Sequence, residues 1–300
     1  MNENPTPDRR ILAFAELVKP ELTGLSVMTG VLSFFFAGHG VNPYWNATLL
    51  ACASLLIGGG AAALNQYMER SFDVLMRRTE HRPIPSGRIQ PWEALTFGGL
   101  ASICGVVMLW VVFGILPASL GVLTLVTYLG MYTPLKRKSS WNTLVGAFPG
   151  ALPTLIGWTA AEGRFSTGGW LIFGILFLWQ FPHFFSLAWM YRKDYARAGY
   201  KMLPVIDDDA GTRTNVVNIV SVIGLIFVTS SMTLFKISGN VFLLLSLLLG
   251  VGFLWVATSV RTAQRAGLQR PSLGRPQHLF FASLAYLPLV LIAGLLDRIP

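Results

Sequence analysis

Three hundred residues, 53% hydrophobic and only 12% charged, with a mean hydropathy of +0.56, describe an integral membrane protein and argue against one or two soluble domains. The net charge of +9 suggests nucleic acid only if the cations cluster away from membrane-span ends. The two cysteines, Cys52 and Cys104, stand alone in separate apolar runs, which excludes a disulfide framework or a zinc site; both read as buried packing residues.

Residues 1–20 carry Asp8, Arg9, Arg10, Glu16 and Lys19, without a continuous apolar core or a small-residue cleavage site, and read as a short cytoplasmic tail. Residues 1–300, this tail included, are expected to form a single membrane domain. Nine apolar segments follow, at 22–38, 46–68, 94–114, 117–134, 142–161, 169–191, 215–235, 240–260 and 278–297, each long enough to span a bilayer. With the N-terminus inside, all of the 23 Lys and Arg residues except Arg164, Lys236 and Arg298 fall in cytoplasmic segments. That asymmetry accounts for the basic balance, so no nucleic-acid partner is expected.

The longest polar stretches, 69–93 and 192–214, follow spans 2 and 6 and read as cytoplasmic functional loops. Their matching positions suggest a weak internal repeat of two four-helix halves and an added ninth helix.

At the end of span 2 stand Asn65, Glu69 and Asp73. A spacing of four residues drifts only about 40° per step on a helix, so the three occupy one face. Magnesium is commonly held by one or two carboxylates together with substrate phosphates, and this stripe offers that ligand set. Arg77 continues it, and Arg78 and Arg82 lie near, with forked donors suited to phosphate. The competing reading is the polar end of a span, its arginines serving topology; an amide and two acids leaving an apolar run favour function.

Span 4 closes with Tyr132-Thr133-Pro134-Leu135-Lys136-Arg137-Lys138, where Lys136 and Arg137 can neutralise phosphate or simply serve topology. After span 6, Asp194 is the natural second carboxylate, expected to face the first motif across the bundle, with Lys193 beside it. Four residues on stands Ala198, so this half-site is poorer in metal ligands. Asp207, Asp208 and Asp209 read as a solvated loop or helix cap. His183, in an aromatic-rich span, suits either hydrogen-bonded packing or axial ligation of a tetrapyrrole iron.

These residues resemble the UbiA-type intramembrane prenyltransferases over nearly the whole chain, and within them the haem-farnesylating branch. The likeness rests on Leu17-Val18-Lys19-Pro20, on Asn65 to Asp73 with Met76-Arg77-Arg78-Thr79 and Arg82-Pro83, and on Tyr132-Thr133 with Lys136-Arg137. It continues in Pro182-His183-Phe184, in Arg192-Lys193-Asp194-Tyr195 with Ala198-Gly199 and Met202-Leu203-Pro204-Val205, and in Leu295-Leu296-Asp297-Arg298. Ala198 departs from the second acidic motif of quinone-forming members, and Glu69 stands where Asp is common in the wider family.

The resemblance implies an all-α bundle of nine transmembrane helices in the cell membrane, with its active site toward the cytoplasm. It implies transfer of a farnesyl group from farnesyl diphosphate to the 2-vinyl group of haem B with addition of water. Asn65, Glu69, Asp73 and Asp194 would hold Mg2+. Arg77, Arg78, Arg82, Lys136, Arg137 and Lys193 would bind diphosphate; Asn65, Asp73, Asp194 and Lys136 would act in catalysis; and His183 would face the haem. A haem A synthase that takes the product is an implied partner. Prenylation of an aromatic quinone precursor, secondary transport and haem chaperoning are the alternatives.

Overall fold

The computed structural model describes residues 7–38, 42–208, 211–265 and 276–299, among which helices are the regular structure and no strand occurs. Among the described residues, nine helical spans are long and apolar enough to cross a membrane: Pro20–Ala37, Pro43–Asp73, Pro91–Phe113, Ile115–Leu135, Asn142–Glu162, Thr167–Met190, Thr212–Leu234, Asn240–Val260 and Pro276–Leu296. Each matches an expected segment within a few residues. The widest departure from the expected bounds lies at span 2, whose helix continues past residue 68 to Asp73.

In chain order the helices are α1 (Pro7–Val18), α2 (Pro20–Ala37), α3 (Pro43–Asp73), α4 (Pro91–Phe113) and α5 (Ile115–Leu125). A π-helical turn, Val126–Tyr132, joins α5 to α6 (Thr133–Leu135). Then come α7 (Asn142–Glu162), α8 (Thr167–Met190), α9 (Arg192–Arg197), α10 (Leu203–Ile206), α11 (Thr212–Leu234), α12 (Asn240–Arg265) and α13 (Pro276–Leu296). Proline opens α2, α3 and α4 at a first-turn position, where its missing N–H would be unpaired anyway. At α4 the opening is reinforced by a capping box, with Glu93 accepting from the Gln90 N–H at 2.8 Å.

Two apolar cores are the largest among the described residues. One joins α2, α3, α4, α5 and α7 through Phe34, Leu50, Ile57, Leu109, Leu120 and Leu155; the other joins α8, α11, α12 and α13 through Ile172, Ile175, Leu225, Phe242, Leu287 and Val290. Lipid gives no hydrophobic drive between helices, so small residues set how closely they pack. A methyl at Gly60 would lie 2.7 Å from the Gly98 carbonyl oxygen, and one at Gly105 would lie 2.8 Å from that of Ala53, which fixes α3 against α4 at backbone contact.

Two expectations are corrected. Cys52 and Cys104 are exposed, not buried, because a bundle in lipid also presents apolar side chains outward, as Ile103, Trp110 and Val111 do. The stretch read as a tail contains α1, whose Ala13 and Leu17 pack against Ala63, Ile84, Ile89 and Ala94. Ion pairs of Arg10 with Glu93, and of Arg88 Nη1 with Glu16 at 2.8 Å, tie the same helix across the 69–93 loop. Asp209, Arg270 and Arg275 lie outside the described residues.

Asp207 and Asp208 are caps: Asp207 Oδ2 accepts from both the N–H and the hydroxyl of Thr214 at 2.7 Å, and Asp208 Oδ1 accepts from the Thr212 N–H at 2.8 Å, at the start of α11. Asp297 does the same for α12 from the far end of α13, accepting from the Phe242 N–H at 2.7 Å while its carbonyl takes the Gly239 N–H. Replacing Asp297 with alanine is expected to cost about 1 kcal/mol. The check is a lower thermal midpoint in detergent with helix content unchanged.

Candidate functional site

The end of α3 turns the expected stripe inward. Asn65 and Asp73 are almost wholly buried and Glu69 is 6% exposed, with every polar group engaged from a different part of the chain. Asn65 Nδ2 donates to Thr133 Oγ1 at 3.1 Å. Glu69 Oε1 accepts from Lys136 Nζ at 2.8 Å. Both oxygens of Asp73 accept from Arg82 Nη1, at 2.8 and 2.9 Å, while the Asp73 carbonyl accepts from the Thr79 hydroxyl at 2.8 Å. The loop after α3 therefore coils back over its own last carboxylate.

The π turn brings Thr133 and Lys136 to this face. Its wider ring pairs the Thr133 N–H with the Tyr128 carbonyl five residues back, and the Thr133 hydroxyl donates to the same carbonyl at 2.9 Å, leaving its oxygen to accept from Asn65. Gly146 on α7 leaves room for the Tyr132 ring, since a methyl there would approach it to 2.6 Å. That ring lies 4.6 Å beneath the Lys136 ammonium. Burial alone would lower Lys136, but the Glu69 carboxylate outweighs it and holds the ammonium above its ordinary range.

Lys19, between α1 and α2, belongs to the Leu17–Pro20 motif of the family resemblance but is not among the expected site residues. The structure sends its ammonium into the site, 3.5 Å from Asn65 Oδ1. Burial first, and then the Arg82 and Lys136 cations, push it down to about 7. Tyr200 is a second residue missed in the sequence. Its buried hydroxyl faces Glu69, and burial together with that carboxylate raises it above the ordinary tyrosine range. The signal for Lys19 was its place directly before the Pro20 that opens a span. No signal marked Tyr200, because the loop of residues 192–214 must fold before it arrives.

That loop closes over the end of the bundle that carries the site. Arg78 Nη2 donates to the Tyr195 hydroxyl at 3.1 Å, and the Arg78 guanidinium carbon lies 5.0 Å from the Tyr191 ring centre. The Lys201 N–H donates to the Lys136 carbonyl at 2.8 Å. A cavity of about 430 Å³ opens beside Glu69, lined by Met68, Phe72, Thr133, Pro134, Arg137, Lys138 and Tyr200. Arg137 reaches its wall with its guanidinium 4.0 Å from the Phe72 ring centre.

The other expected residues stand farther out. Arg77 and Lys193 are exposed. Asp194 pairs with Arg197 one turn along α9, and no described contact joins it to Glu69 or Asp73. The two halves meet instead through Arg78, Tyr191, Tyr195 and Tyr200. His183 sits in the second core between α8 and α13. Its ring is stacked against Trp179 and Phe280 at 4.6 and 4.9 Å, and its Nδ1 is 2.9 Å from Ser283 Oγ.

The donor set fits magnesium. Glu69 and Asp73 lie one helical turn apart on a shared buried face with an amide beside them, and the surrounding lysines and arginine suit the phosphate oxygens that would complete such a site. Among the described residues no third His, Cys, Asp or Glu joins the two acids, so further ligands would come from substrate and water.

The chain matches the UbiA prenyltransferase family over residues 26–284. It belongs to that family. This prenyltransferase is 43% identical to the protoheme IX farnesyltransferase of Solibacter usitatus (strain Ellin6076) over 294 residues, covering 95% of this chain and 98% of the relative. It is 38% identical to that of Opitutus terrae (strain DSM 11246 / JCM 15787 / PB90-1), covering 100% and 99%. Its fold aligns with a solved structure of digeranylgeranylglyceryl phosphate synthase at a TM-score of 0.76 and 15% identity, covering 96% and 98% of the two chains. It also aligns with a UbiA homolog from Archaeoglobus fulgidus bound to DMAPP and Mg2+, at a TM-score of 0.70 and 12% identity, covering 95% and 98%. The fold of this prenyltransferase is thus shared well beyond the range of close sequence likeness.

Proposed function

We propose that this prenyltransferase transfers a farnesyl group from farnesyl diphosphate to the 2-vinyl group of haem B, with addition of water, giving haem O and diphosphate for haem A biosynthesis. The observation that carries the reaction type is the buried Asn65–Glu69–Asp73 face ringed by Lys19, Lys136 and Arg82 beside a cavity. The haem acceptor is supported by full-length likeness to protoheme IX farnesyltransferases and by Ala198 in place of a second acid.

Asn65, Glu69 and Asp73 would hold Mg2+, which when bound neutralises diphosphate charge and favours its departure. Lys19, Lys136 and Arg82 donate to the phosphate oxygens, and these contacts strengthen as charge collects on the leaving oxygen, so they favour the transition state over the ground state. The carbon–oxygen bond breaks with its electron pair staying on diphosphate. The vinyl π electrons then form the new carbon–carbon bond to the allylic cation, water adds to the resulting carbocation, and one proton leaves to solvent. The apolar bundle keeps water from the allylic cation before that bond forms.

Arg77, Arg78 and Lys193, within the functional loops 69–93 and 192–214 of a single membrane domain, and Arg137 beside the cavity form the cationic rim that receives the diphosphate, while Asp194, paired with Arg197 on the same rim, would reach the metal only if it left that partner. His183 is the haem-facing candidate. The positive-inside asymmetry supports an N-terminus and active site on the cytoplasmic side of the cell membrane, where both amphiphilic substrates would approach along the bilayer. The haem O product would pass to a haem A synthase.

Purified protein supplied with farnesyl diphosphate, Mg2+ and either haem B or a hydroxybenzoate tests the assignment by mass spectrometry. The expected product is haem carrying a farnesyl group and one water. Turnover of the phenol with none of the haem would transfer the assignment to a quinone precursor.

A further inference from the structure

Gln66, next to Asn65 on α3, takes no part in the chemistry above. It is fully buried, and its Nε2 donates to the Leu17 carbonyl at the end of α1 at 2.8 Å, while its Oε1 has no partner. A helix end leaves carbonyls unpaired, and here other helices supply the donors: Gln66 to Leu17, and the Thr23 hydroxyl to Val18 at 2.7 Å. Lys19 follows directly and is held in the left-handed conformation at φ 51°, a costly one for a residue with a Cβ.

The seat beneath this turn is made of glycine. A methyl at Gly59 would lie 2.7 Å from Val18 Cγ1, and one at Gly58 would lie 2.8 Å from Thr23 Cγ2. Gly58 and Gly59 therefore seat the α1–α2 junction on α3, and Gln66 ties it there about one helical turn before Glu69.

We infer that Gln66 is a positioning residue for the prenyl diphosphate, acting through the Leu17 carbonyl to hold the Lys19 turn so that its ammonium meets the diphosphate beside Asn65. The inference rests on the diphosphate reading of Lys19 given above. Removing the Gln66 amide relieves the orphaned Oε1 but leaves the Leu17 carbonyl without its donor, so a modest loss of stability is expected for either role and the division between KM and kcat distinguishes positioning from plain stability.

Gln66→Met is expected to lower the thermal midpoint only slightly, to raise KM for farnesyl diphosphate by about tenfold, and to leave kcat nearly unchanged. Gly59→Ala, which displaces the same turn from below, is expected to raise KM in the same direction. Added to Lys19→Met, the Gln66→Met change should have no further effect on KM, since coupled residues are not additive. A Gln66→Met protein with unchanged KM, alongside a raised KM for Lys19→Met, overturns the positioning role alone. An unchanged KM in Lys19→Met overturns the diphosphate reading on which it rests. A Gln66→Met protein that loses stability and kcat together with KM overturns the inference in favour of a structural role.

Discussion

Asp73→Ala is expected to lower Mg2+-dependent farnesyl transfer by about a thousandfold, in kcat more than in KM. Asp73 is the most completely enclosed acid of the site, and the side chain that occupies both its oxygens, Arg82, is drawn from the loop that covers it. Removing the carboxylate takes away an anchor for the metal and frees Arg82 from the geometry in which it faces the diphosphate. Asp73→Asn keeps the shape and loses the charge, so a similar fall in that variant assigns the effect to charge. The measurement is diphosphate release alongside product formation; unchanged release in a folded variant would refute the metal-holding role of this residue.

The second large effect lies far from the chemistry. A methyl at Gly157 on α7 would stand 1.9 Å from the Gly30 carbonyl oxygen on α2, and one at Gly30 would stand 3.0 Å from the Pro153 carbonyl oxygen. Both obstacles are backbone, so no side-chain rotation relieves them. Gly157→Ala is therefore expected to destabilise the bundle by about 3 kcal/mol or more. It should appear as a markedly lower midpoint in detergent and poor recovery from membranes. Because α2 carries the Lys19 turn at its other end, whatever protein survives should also show a raised KM for the prenyl diphosphate. Wild-type stability in Gly157→Ala would mean that α2 and α7 separate freely.

The nine spans were legible because lipid demands long apolar runs whichever neighbours a helix acquires. The same uniformity hid which side of a helix faces inward, and so Cys52 and Cys104 were placed in the interior. The Asn65–Glu69–Asp73 stripe was legible because helical spacing alone puts it on one face. Its partners were less so, since Lys19 reaches Asn65 across 46 residues and Lys136 reaches Glu69 across 67. Lys136 is readable as a phosphate-binding cation at the close of span 4, whereas charge counting assigns Lys19 to topology, and neither reading supplies the partner each lysine meets on α3. Helix α1 was taken for a tail because its buried contacts, Ala13 and Leu17, form too short a stripe to stand out between charges.

The π turn before Thr133 has a consequence for what the chain can tolerate. It contains one residue more than the α-helix would need, and that surplus sets the rotational phase of everything after it by about 100°. Upstream, α5 answers to lipid and to α7; downstream, Thr133 and Lys136 answer to Asn65 and Glu69. The two obligations are reconciled by counting, not by composition. Losing a single residue from Val126–Tyr132 would leave hydropathy, span length and orientation intact while swinging the lysine away from its acid. At this place the arithmetic of the chain carries more information than its alphabet.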